Sequence, residues 1–323
     1  MIPDMKLWTG RVDAGEGELA RRWHQLATPF APGLPAGIGI AGFACDEGVR
    51  RNQGRVGAAA APAVIRKALA NLAWHQAYPL CDMGDVACND GDLDAAHLRL
   101  AAAVEQLARA GHFPLVLGGG HETAYGTWRG LAAAHPDKVI GIINFDAHFD
   151  IREAAEATSG TPFAQIAADC AATGRPFHYL CLGVAEPSNT QALFARAGQL
   201  GVQWLLDSAL NQAGLANAQR TVQDFIDQVD MVYLTIDLDV LPASVMPAVS
   251  APAAMGVELP VVEALVTAIA ASGKLAGADL VELNPQFDID SHGAKTAARL
   301  AWSITRHLTA LPPQRSRTAN KTA

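Results

Sequence analysis

Asp146, His148 and Asp150 stand two apart at the end of V-I-G-I-I-N-F-D-A-H-F-D-I-R, residues 139–152. The first half of that stretch is apolar and largely β-branched, the pattern of a strand buried on both faces. Along an extended chain, side chains two apart point the same way, so all three can meet at one point. A buried strand end tolerates two carboxylates only where something positive meets them. Metal ligation is the chemistry these residue types offer at this spacing; Asp residues that merely cap turns are the plainer alternative.

The same residue types recur at the ends of other apolar runs. Residues 113–117 run into G-G-G-H-E, presenting His121; residues 231–236 end in Asp237 and Asp239; residues 275–281 end in Glu282, before Asn-Pro. Taken singly, each has an ordinary reading as a turn, a cap or a core histidine. In a parallel sheet, however, ligands bind beyond the carboxyl ends of the strands, and all four runs end in this way. Four carboxylates and two imidazoles repel one another unless cations stand between them. Two divalent ions neutralise four Asp, and an oxygen-rich set without Cys favours Mn²⁺ over structural Zn²⁺. Such a pair, on the order of 3.5–4 Å apart, shares carboxylates and holds a water as hydroxide, so hydrolysis is the expected chemistry.

The elements that must position these groups follow from the apolar periodicity. Strands are expected at 37–45, 78–83, 113–117, 139–145, 178–182, 202–206, 231–236 and 275–283. Helical patterns at 62–72, 93–110, 122–134, 162–172, 189–200, 216–228, 260–272 and 291–309 alternate with them. That alternation predicts an α/β fold with a mainly parallel eight-stranded sheet covered on both faces. No Pro/Gly/Ser linker divides the chain, so one domain is expected over 1–323. Residues 1–36 form an N-terminal extension with one helix near 17–27 and otherwise loop; 311–323 form a basic, flexible tail.

Composition narrows the function classes. Half of the 323 residues are apolar and 17% charged, enough for a large core. A net charge of −8 argues against nucleic-acid and anionic-membrane partners. Apolar runs stay well short of the roughly 18 residues of a membrane span, and the first 30 residues lack a secretory pattern. Five scattered cysteines, none in C-x-x-C spacing, suit a reducing compartment. The expectation is a cytoplasmic protein with a small-molecule substrate; the sequence leaves homo-oligomerisation open.

G-G-G-H-E, D-A-H-F-D, D-L-D-V-L-P and E-L-N-P, in this order and spacing, resemble the ureohydrolases: arginase, agmatinase and formimidoylglutamase. The resemblance covers residues 37–308. It implies a three-layer α/β/α sandwich with a binuclear manganese centre. It implies that His121, Asp146, Asp150 and Asp237 hold one ion, and that Asp146, His148, Asp237 and Asp239 hold the other, with Asp146 and Asp237 bridging. Glu282 matches the carboxylate that binds the substrate's amidine-type group. The arm D-E-G-V-R-R-N-Q-G-R-V-G at 46–57, His121-Glu122 and D-A-H-F-D-I-R with Arg152 are most similar to the formimidoylglutamase branch. That branch implies hydrolysis of N-formimidoyl-L-glutamate to L-glutamate and formamide, in histidine degradation.

Arginases carry a proton-moving histidine in S-G-x-x-H, where this chain has S-G-T-P-F and therefore Phe163. Phe163 is expected to pack beside the formimidoyl carbon, where a guanidine would have a further nitrogen. The acid that protonates the leaving amine is then unassigned, with Asp150 as the candidate. Arg152 is expected to bind a substrate carboxylate, since a guanidinium fork suits one best; pairing with Glu153 or Glu156 is its plainer alternative. A guanidino hydrolase releasing urea is the runner-up. A catalytically silent metal-binding or assembly protein, or a zinc deacetylase, would fit the residues less well.

Overall fold

Strand order decides which strand ends become neighbours, and here it gathers every candidate ligand. The structure, a computed structural model, describes residues 1–311; the rest of the tail expected at 311–323 lies outside the described residues. Nine strands form one sheet: β1 (Ala27–Pro29), β2 (Ile38–Ala44), β3 (Leu80–Ala87), β4 (Phe113–Leu117), β5 (Ile140–Phe145), β6 (His178–Val184), β7 (Gln203–Leu206), β8 (Met231–Asp237) and β9 (Leu275–Val281). Their order is β1-β3-β2-β4-β9-β8-β5-β6-β7, and every pairing is parallel.

The sheet therefore has one strand more than the eight expected. The addition is β1, whose Ala-Thr-Pro sequence carries no strand signal and pairs with β3 only at the sheet edge, where a proline is tolerated. Residues 1–36 are otherwise largely loop, as expected, but two of their side chains reach the core. Trp8 and Trp23 are buried, and Trp8 Nε1 donates to Asp82 Oδ2 at 2.7 Å. The single helix expected near 17–27 is instead a 3₁₀ turn at Gly17–Ala20 followed by the short α1 (Trp23–Leu26).

The remaining helices are α2 (Glu47–Arg51), α3 (Ala61–Ala70), α4 (Leu93–Arg109), α5 (Thr123–Ala134), α6 (Pro162–Thr173), α7 (Gln191–Gln199), α8 (Leu215–Asp227), α9 (Leu259–Ala271) and α10 (His292–Arg306). Their apolar faces build two cores. Residues of α3, α8, α9 and α10 pack with Ile143 and Phe145 of β5 on one side of the sheet. Residues of α4, α5, α6 and α7 pack with Ile140 and Ile142 on the other. Alternate residues of one strand thus serve opposite cores, as the two-residue period requires, and the architecture is a three-layer α/β/α sandwich. Among the described residues no helix is long and apolar enough to cross a membrane.

Candidate metal centre

The central order β4-β9-β8-β5 brings the four ligand-bearing strand ends side by side. Phe145 pairs with Ile236, so Asp146 and Asp237 follow as neighbours one residue beyond that pair. β4 pairs with β9 up to Leu117–Leu280. The chain then turns through Gly118–Gly120, bringing Gly120 N–H to the Cys45 carbonyl at 3.1 Å. A Cβ on Gly119 would collide with that carbonyl, so the close passage needs glycine. The turn drops His121 over the ends of β8 and β5.

The ligand atoms converge. His121 Nδ1 stands 3.1 Å from Asp146 Oδ2, 3.0 Å from Asp150 Oδ2 and 3.1 Å from Asp237 Oδ2. His148 Nδ1 stands 3.0 Å from Asp239 Oδ2 and 3.4 Å from Asp146 Oδ1. Each set, His121–Asp146–Asp150–Asp237 and Asp146–His148–Asp239, offers one donor atom per residue, all within 4.8 Å of one another. All six expected ligands are therefore brought together; Asp146 belongs to both sets, whereas Asp237, also expected to bridge, falls in the first set alone.

Local hydrogen bonds aim these carboxylates. Asp146 Oδ1 accepts the His148 N–H at 2.6 Å, and Asp237 Oδ1 accepts the Asp239 N–H at 2.8 Å. These two-residue loops leave the other carboxylate oxygens facing the centre. Asn144 donates to Asp146 Oδ2 at 2.9 Å, and His121 Nε2 lies 3.1 Å from Thr235 Oγ1. With that Nε2–H donated to Thr235, the His121 Nδ1 lone pair points into the cluster, the usual arrangement of a metal-binding imidazole. Asn144 and Thr235 escape the motif search, although each is a polar residue inside an apolar strand, two before a ligand. That is the signal that would have found them.

Electrostatics shows what the cluster lacks. Burial presses His121 and His148 toward neutrality, but the carboxylates around them win and raise both well above the usual histidine range. Burial, then the charges of Asp239 and Asp146, raise Asp237 well above the usual carboxylate range. Positive charge is in demand at this point. Among the described residues His121 Nδ1 makes no satisfied hydrogen bond despite three oxygens at nearly equal distance, a geometry that suits lone pairs sharing one cation. The donor set, oxygen-rich with two imidazoles and no thiolate, fits divalent ions of the manganese type.

Around the cleft, Asp150 (φ 48°), Glu282 (φ 70°) and Gln53 (φ 60°) hold left-handed backbone conformations that non-glycine residues rarely adopt, as Asp290 and Ser291 do elsewhere among the described residues. Such strain concentrates at functional positions. Glu282 Oε1 accepts the His121 backbone N–H at 2.8 Å, while Oε2 has no partner among the described residues. Burial, then the negative charge of Glu122, pushes its pKa up to about 8. Glu282 and Arg152 line one cleft of about 300 Å³ with His148, Asp150, Asp237 and Asp239. The Arg152 aliphatic stem lies over Gly160, where a Cβ would stand 3.1 Å from Cδ. Glu153, one of the two alternative partners expected for Arg152, pairs instead with Arg196 at 2.6 Å.

Phe163 falls in a different place from the one expected. It is fully buried, its ring edge-on to His121 at 5.2 Å between centroids and stacked on Tyr179 at 4.4 Å. It is not among the residues lining the cleft. Proline at position 162 starts α6 one residue earlier, and the first turn of that helix tucks Phe163 behind the histidine ligand rather than beside a substrate.

A parallel α/β/α sandwich with a carboxylate–imidazole cage at the carboxyl edge of its sheet defines a metal-centre protein of the hydrolase type. The chain belongs to the arginase family, whose model matches residues 36–306. A formimidoylglutamase of Chromobacterium violaceum is 69% identical over 305 residues, covering 94% of this chain and 99% of that protein. One from Aeromonas salmonicida is 57% identical over 309 residues, covering 94% and 98%. Among solved structures, the formimidoylglutamase of Bacillus subtilis shares the fold with a TM-score of 0.83 at 23% identity, covering 93% of this chain and 94% of that one. A Trypanosoma cruzi formiminoglutamase with Mn²⁺ superposes with a TM-score of 0.76 at 26% identity, covering 84% and 93%.

Proposed function

We propose that this protein hydrolyses N-formimidoyl-L-glutamate to L-glutamate and formamide, using two manganese ions per chain. The observation that carries the reading is Glu282: a buried carboxylate oxygen without a partner among the described residues, in the same cleft as the ligand cage. An amidinium supplies the paired N–H donors such an oxygen lacks. The high identity to proteins named formimidoylglutamase, over nearly their whole length, supports this choice of amidine.

In this reading His121, Asp146, Asp150 and Asp237 would hold one ion, and Asp146, His148, Asp237 and Asp239 the other. Two such ions, when bound, would supply Lewis acidity and make water a stronger nucleophile at neutral pH. The chain's own residues do the rest. Glu282 orients the amidinium so that its central carbon faces the ligand cage. Arg152 binds a substrate carboxylate at the rim. Asp150 carries the proton delivered to the departing nitrogen. Free cysteines throughout the chain suit a cytoplasmic setting.

The test is product identity. Manganese-loaded protein is given formimidoylglutamate and arginine side by side. Formamide from the first and no urea from the second is expected; urea release without formamide would replace this reading with guanidino hydrolysis.

A further inference from the structure

The proposed substrate carries two carboxylates, and Arg152 can answer only one of them. The α-carboxylate branches from the carbon next to the amidine nitrogen, so it must stay within the small metal cleft that Arg152 borders. The side-chain carboxylate lies farther along the molecule and needs a second cation outside that cleft. A second groove, of about 760 Å³, adjoins it and shares His148, Ser250 and Ala251 with it. Arg55 lines this second groove.

The arm at 46–57 carries three arginines, and two are engaged within the protein. Arg50 bonds to Glu47 through Nε at 2.7 Å. Arg51 bonds to Glu47 at 2.9 Å and donates to the carbonyls of Ala157 and Gly91. Arg55 is exposed, and among the described residues its guanidinium meets no carboxylate; it lies 4.8 Å from the centre of the Phe287 ring. Its backbone is pinned on both sides. The Arg55 N–H donates to Ser250 Oγ at 2.9 Å, and Asn284 Nδ2 donates to the Arg55 carbonyl at 2.9 Å. Asn284 and Phe287 belong to the loop that begins with Glu282. One loop thus presents the amidine-binding carboxylate and holds the arginine across from it. A guanidinium resting on an aromatic face loses little further freedom on binding a carboxylate and keeps its fork available.

We infer that Arg55 is a second carboxylate-reading residue, binding the side-chain carboxylate of N-formimidoyl-L-glutamate while Arg152 binds the α-carboxylate. The assignment rests on the proposed function and adds the reason an amidine of a dicarboxylic amino acid is selected. It also separates two roles that a single arginine would merge.

The experiment pairs a residue with the group it reads. Wild type, Arg55→Met and Arg152→Met, each loaded with Mn²⁺, are assayed on N-formimidoyl-L-glutamate and on N-formimidoyl-L-glutamine, which keeps the shape and loses the side-chain charge. Arg55→Met should raise KM for the glutamate substrate roughly 10- to 100-fold with little change in kcat. It should leave KM for the glutamine analogue at the wild-type value. Arg152→Met should raise KM for both. Equal effects of Arg55→Met on the two substrates, or none on the glutamate substrate, would overturn the assignment. Failure of the proposed function is seen separately, as wild type that releases no formamide from the glutamate substrate, and it would remove this assignment too.

Discussion

Glu282 Oε1 accepts the backbone N–H of His121 at 2.8 Å, tying the carboxylate proposed to hold the amidine to a proposed metal ligand on a different strand end. The bond fixes one carboxylate oxygen and leaves the other for substrate. It also explains why Glu282 holds a left-handed conformation at φ 70°: the chain must turn back toward the β4–α5 connection as it leaves β9. Glu282→Gln retains an oxygen for the His121 N–H and removes the negative charge that a bound amidinium would draw out of this carboxyl, whose pKa is otherwise pushed up to about 8. We expect kcat/KM to fall roughly 10- to 100-fold, the loss typical of a charged hydrogen bond. Metal content measured by elemental analysis should be unchanged. Loss of metal in the variant would assign Glu282 to the cage instead.

Arg152→Met tests the other end of the substrate. The change keeps length and stem packing over Gly160 and removes the fork. KM for formimidoylglutamate should rise roughly 10- to 100-fold, with both ions retained. An unchanged KM in the fully metallated variant would rule the contact out.

Phe163 serves as support rather than as a pocket wall. Its edge-on contact with the His121 ring at 5.2 Å holds that imidazole from behind. Phe163→His places a polar ring in a dry site between His121 and Tyr179. It should destabilise the fold by about 1–3 kcal/mol in denaturant melts, the cost of an unpaired buried polar group. Turnover of formimidoylglutamate should not improve. A variant with markedly higher activity would show that a proton shuttle is what this position lacks.

A buried histidine away from the centre sets a pH dependence of stability. His97 of α4 is 1% exposed, stacked on Phe43 and edge-on to Tyr125. Burial pushes its pKa down to about 4 from the ordinary 6.5. The unfolded chain therefore takes up a proton that the folded chain refuses across that interval. Stability from this group is complete above about pH 6.5 and is lost as pH falls toward 4, up to about 3 kcal/mol. His97→Leu suits the aromatic surroundings and removes the titration. Denaturant melts should show wild type losing more stability than the variant between about pH 6.5 and 4; parallel losses would contradict the account.

Much of the cage is legible in the sequence because a strand has a period of two. D-x-H-x-D and D-x-D at the ends of apolar runs aim their side chains together, and parallel order puts those ends on one edge. What escaped is set by tertiary packing. β1 is an edge strand of three residues whose pairing depends on β3, and α2 hides in a charged arm where Glu47 gathers Arg50 and Arg51. Phe163 lies one residue into α6, and only the docking of that helix decides whether its ring meets substrate or the back of His121. Thr235 meets His121 only once β9 has placed β8 two strands from β4, whereas Asn144 bonds Asp146 two residues along the same chain, a local bond that carries no motif.

The central claim is a two-ion centre built from His121, Asp146, His148, Asp150, Asp237 and Asp239, and stoichiometric metal titration tests it most directly. Metal-free protein is titrated with Mn²⁺ while bound metal and formamide release from formimidoylglutamate are followed together. Activity should rise until about two Mn²⁺ are bound per chain, and Asp237→Ala, which removes a ligand proposed to bridge the two ions, should remain inactive throughout. Full activity with one ion per chain, or with one tightly held zinc, would contradict the account.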